Sequence, residues 1–362
     1  KNANITIVVD DHTRNAPTAK MLDALTEEVG EAHKISLLVA CGTHAPPTEE
    51  ELRRILGPHF HQFEIVIHNC DANDLVHFGT TSRGTPVTLN RHYVDADVRV
   101  LTGDITVHYY AGFGGGRKSI VPGISSRESI RRNHALLVDG RARTANIANN
   151  PVHLDMAEAA SFAPPDFVLN TVADGNGNLV DAYAGEMNTV FLRGAAVAKR
   201  LFCLDTYELF DLLVVSAGGF PKDRNLYQAT KAVENCYRAV VPGGTLLLVA
   251  ECCEGIGDAY FEDWMNTYAS YEAVEDAIKA NFVLGGHKAF YMRKAMERVR
   301  LSIVSELDTR ILSRWGIKAY NSVRSAVEEE RNINDNIKVG TVKNGMDTLL
   351  VPMTKGQIKE EG

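Results

Sequence analysis

The feature that most constrains this 362-residue chain is a recurrence: short β-branched or leucine-rich runs, each followed by a polar or glycine loop and then by helical periodicity. Runs of that kind are buried on both faces in a parallel sheet, and the helices between them cover those faces, so the recurrence specifies an α/β protein. In a first series, residues 5–9 read as a strand, 10–17 as its loop and 19–29 as a helix. Residues 35–40 then form a strand and 41–47 a loop, and the next helix opens with the capping-box pattern Thr48-x-x-Glu51. Residues 64–68 and 98–102 are further strands. A second series starts near Asp211, with a strand at 212–216, a loop at 217–225 and a helix at 226–240. That helix spaces Leu226, Ala229, Val233, Cys236 and Tyr237 along one side. Pro242-Gly243-Gly244 turns the chain into a strand at 245–250, and a loop at 254–258 follows. The length calls for more than one core, and the break between the series puts a domain boundary near residue 205. The expected domains are 1–205, completed by 338–362, and 206–337.

Composition narrows the function classes. Lys and Arg number 38 against 46 Asp and Glu, a net charge of -8, which disfavours a general binder of nucleic acid or anionic membrane. The longest apolar runs, 212–215 and 246–250, fall far short of the roughly 20 residues that span a bilayer. Six cysteines without CxxC spacing argue against a zinc ribbon or a secreted disulfide scaffold, so a cytoplasmic setting is expected. The chain opens at Lys1 without methionine, and a trimmed N-terminal piece is expected.

In a parallel α/β sheet, ligands collect outside the carboxyl ends of the strands. The loops there carry Asp11, Arg14 and His44, and Gln228 and Lys231 follow the first strand of the second series. The densest segment runs from His108 to Gly123 and contains Gly112, Gly114, Gly115 and Gly116, followed by Arg117 and Lys118. Glycines there serve either as a flexible turn or as a backbone cradle for an anion. Seven Lys or Arg against two acids over residues 112–143 favour an anion such as phosphate. The spacing is neither a P-loop nor GxGxxG. His44 and His108 follow strands, and His134 follows a helical stretch at 127–132. Alone, His134 reads more readily as a structural histidine than as a ligand, and His44 and His108 read equally as surface residues, but together they suggest acid/base or metal chemistry. Asp11-His-Thr-Arg14 offers a helix cap or a guanidinium fork for an acid. Gln228 and Lys231, three apart, share one helix face, a solvated face or one that meets a small polar substrate.

Taken together, Asp11-His-Thr-Arg14, Gly42-Thr-His44, His108 with Gly114-Gly-Gly-Arg-Lys118 and Pro122-Gly123, Asn133-His134, and Gly219-Phe-Pro-Lys-Asp223 with Tyr227-Gln228-x-x-Lys231 resemble the lactate racemase family, the nickel-pincer-nucleotide enzymes. The order of these strings covers nearly the whole chain. The glycine-arginine-lysine segment flanked by two histidines is the specific one. The resemblance implies two α/β domains with the active site in the cleft between them, the first binding the cofactor. It implies a racemase or epimerase of a 2-hydroxy acid that works by hydride transfer to and from the nickel-pincer nucleotide through a 2-keto acid. It also implies dependence on cofactor-biosynthesis proteins. Lys118 matches the lysine that can attach to the cofactor, with Gly114, Gly115, Gly116, Arg117 and Asp11 beside it, and His134 matches the single protein ligand to nickel. His44 and His108 match the acid/base pair, with Asp11 and Arg14 lining the site. Arg14, Gln228 and Lys231 match substrate-binding positions, and Tyr291 aligns with an expected aromatic, often Trp. Asn15 stands where Pro is usual and Ala45 where Arg is usual, and both departures favour a substrate larger or more polar than lactate. Two rivals are a non-catalytic anion or nucleotide-binding protein and an NAD-type 2-hydroxy acid dehydrogenase. The latter is disfavoured because no strand is followed by GxGxxG and an acid about 20 positions on.

Overall fold

A computed structural model describes residues 3–14, 16–29 and 34–353; Asn15, and residues 354–362 of the segment 338–362, lie outside the described residues. The chain divides into two compact units, Lys1–Leu201 and Phe202–Gly362.

The first unit holds a six-stranded sheet of β1 (Asn4–Asp10), β2 (Lys34–Ala40), β3 (Glu64–Ile67), β4 (Val98–Asp104), β5 (Phe167–Ala173) and β6 (Leu179–Gly185), in the order β6-β5-β4-β1-β2-β3. All neighbours are parallel except the β5-β6 pair at one edge. Ile7, Val8, Val9, Leu37, Leu38 and Val39 have no exposed surface, as expected for central strands covered on both faces. On one face, Ile7, Val9, Leu37 and Val39 pack with Leu22 and Leu25 of α1 (Thr18–Val29) and with Leu52 and Leu56 of α2 (Glu49–Leu56). α2 begins where the capping box reads: the Glu51 amide donates to Thr48 Oγ1, and the Thr48 amide donates back to the Glu51 carboxylate at 2.8 Å. α3 (Arg127–Ala135) runs past the helical stretch expected at 127–132, so His134 lies in its last turn, and α4 (Pro151–Ser161) follows it. Strands β1 to β3 step to one side of β1, while β4 and β5 lie on the other. The order therefore reverses between β1 and β4, and a crevice opens at such a point.

The second unit is a five-stranded parallel sheet of β7 (Phe210–Ser216), β8 (Val240–Val249), β9 (Arg300–Val304), β10 (Lys318–Ala319) and β11 (Val339–Val342), ordered β10-β9-β8-β7-β11. β8 is longer than expected, because residues 242–244 continue the strand instead of turning into it, at the cost of a register irregularity opposite residues 210–212. β11 pairs with Leu212–Val215 of β7. Residues 339–342 thus belong to the second unit and do not complete the first, since their backbone hydrogen bonds go to β7. α5 (Leu226–Cys236) follows β7 and packs on α6 (Gly286–Arg298) and on the sheet. Leu226, Ala229, Val233, Cys236 and Tyr237 are all buried, as their spacing requires. Among the described residues no helix is long and apolar enough to cross a membrane.

Candidate active site

The first unit gathers its chemistry at the carboxyl ends of β1 and β4. Asp11, 2% exposed, directs one carboxylate oxygen at His44 Nδ1, 2.6 Å away. The other oxygen accepts from the Thr13 hydroxyl at 2.6 Å and the Thr13 amide at 3.1 Å. Burial pushes the Asp11 carboxyl up, but the His44 hydrogen bond and charge, Thr13 and Arg14 outweigh it and hold the group below the usual carboxylate range. With Nδ1 donating to a carboxylate, His44 keeps Nε2 as its proton acceptor. The Gly42-Thr-His44 loop is fastened to the lysine loop, for the Gly42 amide donates to Gly123 O at 2.9 Å.

Three other functional candidates surround one aromatic ring. His108 and His134 meet Tyr110 edge to face, at centroid distances of 4.4 and 5.0 Å, and Lys118 Nζ lies 5.6 Å from the ring centroid. His108 Nδ1 accepts from the Ala111 amide at 3.3 Å, while Nε2 lies 3.3 Å from Lys118 Nζ. Nε2, the ring nitrogen left to exchange a proton, thus faces the Lys118 amine. Burial, reinforced by the charges of Arg14 and Arg117 and opposed by Asp10, holds it well below the ordinary lysine range. Beneath this group, burial pushes both Asp10 and Asp104 up to about 6, and Arg14 pulls against it in each case. Arg14 is exposed, and its charge is felt by Asp10, Asp11, Asp104 and Lys118.

The glycine segment does not work as an open anion cradle. Arg117, 2% exposed, turns inward and donates to Ala111 O, Phe113 O and Gly115 O at 3.0 to 3.2 Å and to Gly114 O at 3.5 Å; its guanidinium also sits 3.9 Å over the Phe191 ring. The Gly114 amide donates to Thr106 O and the Gly116 amide to Asn170 Oδ1. A Cβ at Gly112 would lie 2.1 Å from Asn146 O, and one at Gly115 2.6 Å from Ile105. These glycines are required by close packing of the loop on its own domain. The basic excess over residues 112–143 is likewise mostly spent at the surface, where Arg127 pairs with Asp71, Arg131 and Arg132 with Glu128, and Arg141 with Asp139.

In the second unit Gln228 is exposed and Lys231 half-buried on α5, whose N-cap Asn225 accepts from the Gln228 amide. Tyr291 is buried on α6, 3% exposed. Sequence reasoning missed Tyr110, Glu234 and Lys288. The first stood two residues from a chosen histidine, but nothing in the spacing said that its ring is shared by three site residues. Ala45 lies on the loop just after His44. Among the described residues no three His, Cys, Asp or Glu side chains converge as a metal site.

The chain matches two family models: the lactate racemase N-terminal domain over residues 1–145 and the lactate racemase C-terminal domain over residues 206–350. It is 34% identical over 268 residues to the lactate racemase of Thermoanaerobacterium thermosaccharolyticum, an alignment covering 72% of this chain and 63% of that protein. It is 35% identical over 266 residues to the lactate racemase of Lactiplantibacillus plantarum, covering 71% and 62%. The chain therefore spans under two thirds of the length of these curated relatives. The solved structure of the lactate racemase apoprotein from T. thermosaccharolyticum superposes with a TM-score of 0.89 at 27% identity, over 96% of this chain and 87% of that one.

Proposed function

This chain belongs to the lactate racemase family, and on that premise we propose that it inverts the C2 centre of a 2-hydroxy acid with a nickel-pincer nucleotide as cofactor. The observation that carries the reading is the grouping of His108, Lys118 and His134 around Tyr110, in the same unit as the Asp11-His44 pair. The donor set fits such a group. His134 offers one buried imidazole, and among the described residues no cage of protein ligands surrounds it, so a metal held there would bring its other donors with it. Lys118, held toward its neutral amine, suits covalent attachment to a carboxyl-derived group.

When bound, the cofactor supplies the hydride acceptor and donor for C2. The protein's own residues handle the protons and the charge. His44, fixed by Asp11 through Nδ1, and His108, fixed by the Ala111 amide, act as the two acid/bases. Two are needed because the enantiomers present their hydroxyls on opposite sides, and one takes the proton that the other enantiomer's base would return. The intermediate is the 2-keto acid. Arg14 and Lys231 are assigned to the carboxylate, with Gln228 and Tyr291 as further substrate contacts. The glycine segment and Arg117 act by holding the loop that carries Lys118. Asn15 and Ala45 in place of Pro and Arg favour a substrate larger or more polar than lactate. A binding protein without turnover has less support, since Arg117 is spent on the loop's carbonyls and the Gly114 and Gly116 amides on Thr106 and Asn170.

The test is protein made in cells able to build the cofactor. About one nickel per chain is expected, and His134→Ala should lose the metal while keeping the fold; unchanged nickel in that variant rejects the ligand assignment. Substrate deuterated at C2 should keep its label through inversion in ordinary water. Rapid wash-out would exclude hydride transfer.

A further inference from the structure

α4 packs against both α3 and the segment Gly116–Ser119 of the lysine loop, and it carries a buried polar network that no step above uses. Asp155, in the middle of α4 and without exposed surface, accepts from the Thr81 hydroxyl at 2.5 Å, the Thr85 hydroxyl at 2.7 Å and Asn133 Nδ2 at 2.8 Å. Asn133 Nδ2 also donates to Val152 O at 3.2 Å, so both partners of that amide group lie on α4. Asn133 is itself fully buried and precedes His134 in the last turn of α3, where carbonyls lack partners within the helix and the backbone frays unless it is held from outside. At the head of α4 stands Asn150, also without exposed surface. Its Oδ1 caps the helix by accepting from the Val152 and His153 amides, while its Nδ2 donates to Tyr110 O at 2.8 Å. One helix thus grips both Tyr110 and the residue beside His134, whose rings meet edge to face at 5.0 Å. An apolar side chain at 155 would fill the same space without a carboxylate to desolvate, but three directed hydrogen bonds specify a position and apolar packing does not.

We propose that Asp155 is a positioning residue for the nickel ligand: by way of Asn133 it sets the His134 imidazole against the Tyr110 ring, with α4 as the frame that Asn150 ties to Tyr110. This rests on the reading that His134 holds the metal. A single protein ligand has no second imidazole or thiolate to correct its aim, so its direction is set by whatever holds the end of its helix. Thr81 and Thr85 lie on the turn between the strands Val76–Thr80 and Pro86–Leu89 and bond one carboxylate oxygen each, which keeps Asp155 from rotating away from Asn133.

The experiment starts from the full chain without cofactor, its histidine rings isotopically labelled for NMR, with the His134 signal identified by its loss in His134→Ala. Asp155→Asn turns one acceptor into a donor that faces donors, and it is expected to shift the His134 ring signal by more than its linewidth while that of His44 stays in place. In the nickel-loaded protein the same variant should release nickel to a chelator at least about tenfold faster than the parent, at a temperature where both remain folded. Asn133→Ala leaves Asp155 its two threonine donors and should give the same shift and the same faster release. Ser82→Ala removes a hydroxyl bond to Glu158 on the same turn without touching Asp155, and should change neither. An unmoved His134 signal in folded Asp155→Asn, or in Asn133→Ala where the first variant does not fold, overturns the proposal. So does nickel release within about twofold of the parent, or an equal acceleration in Ser82→Ala, which would make the effect one of general stability. If His134→Ala keeps its nickel the ligand reading fails, while the His134 signal of the metal-free chain still decides whether Asp155 sets the imidazole.

Discussion

The lysine loop of the first unit and the α5-α6 face of the second both bury charge, and they differ in what holds it. In the loop, buried Arg117 gives its donors to four carbonyls, and at the end of β1 Asp11 is answered by His44 and Thr13. On the α5-α6 face, Glu234 keeps a buried carboxylate oxygen without a hydrogen-bond partner, and burial pushes it up to about 7 while pulling Lys288 down to about 7. The first arrangement fixes positions, as a site that must hold a cofactor and two bases in register requires. The second holds Glu234 and Lys288 near neutrality, as the first holds Lys118, but with a buried Glu234 oxygen that no hydrogen bond fixes.

The largest effect that would break this contrast is catalytic. His44→Ala and His108→Ala should each lower kcat by about 10²- to 10⁴-fold in the loaded enzyme, with nickel content unchanged. Asp11→Asn should lower kcat by at least about tenfold with little change in KM, because it leaves His44 present but unheld. Steady-state kinetics in both directions measures this, and a full-activity Asp11→Asn would mean that the pair does not organise the base.

Stability gives the next largest separation. Arg117→Met should cost about 3 kcal/mol or more in denaturant unfolding, since it strips charged donors from buried carbonyls. Lys288→Met removes a buried ammonium from a repulsive neighbour, so it should be neutral or stabilising. Equal losses for both would erase the distinction between the two regions.

Smaller effects appear in the pH dependence. Glu234 has a raised folded value, so between about 5 and 7 the folded chain holds a proton that the unfolded chain has released, and stability falls as pH rises through that window. Glu234→Gln should therefore gain on the parent over the same range. Lys288 is depressed to about 7. Below that pH the folded state bears the cost of charging it, and between about 7 and 10 the unfolded chain binds the extra proton, so stability rises with pH. The advantage of Lys288→Met should shrink across that window. Asp11 behaves oppositely to Glu234, for its folded value is depressed and its contribution is present above about 4 and lost as pH falls through the folded value. The acid limb of unfolding should flatten in Asp11→Asn, and an unchanged limb would remove Asp11 from the fixed region.

Local pattern was enough to read much of the framework. Apolar runs at 5–9, 35–40, 98–102 and 212–216 became β1, β2, β4 and β7, each extended by one or two residues, because strand ends mostly take polar residues that carry no pattern. The Thr48-x-x-Glu51 box formed as read, being entirely local. The β5-β6 pair was not legible. Its outer strand is largely exposed, so its residues do not show the apolar run of a covered strand. The segment 339–342 went to β7 although it lies about 125 residues away, a pairing set by sheet order.

The sequence by itself determined the α/β class, the series of strands and the identity of the polar residues at their carboxyl ends, because periodicity, capping and turn chemistry act over a few neighbours. Tertiary structure decided where those side chains point. Only the folded loop shows that Arg117 is turned onto its own carbonyls instead of outward, and that Tyr110 is the ring shared by His108, Lys118 and His134. Only the packing of α6 on α5 brings Lys288 over Tyr227 and under the charge of Lys231. The physical reason is that burial and the distance between charges depend on residues far apart in the chain, and these two quantities set what an arginine or a lysine does.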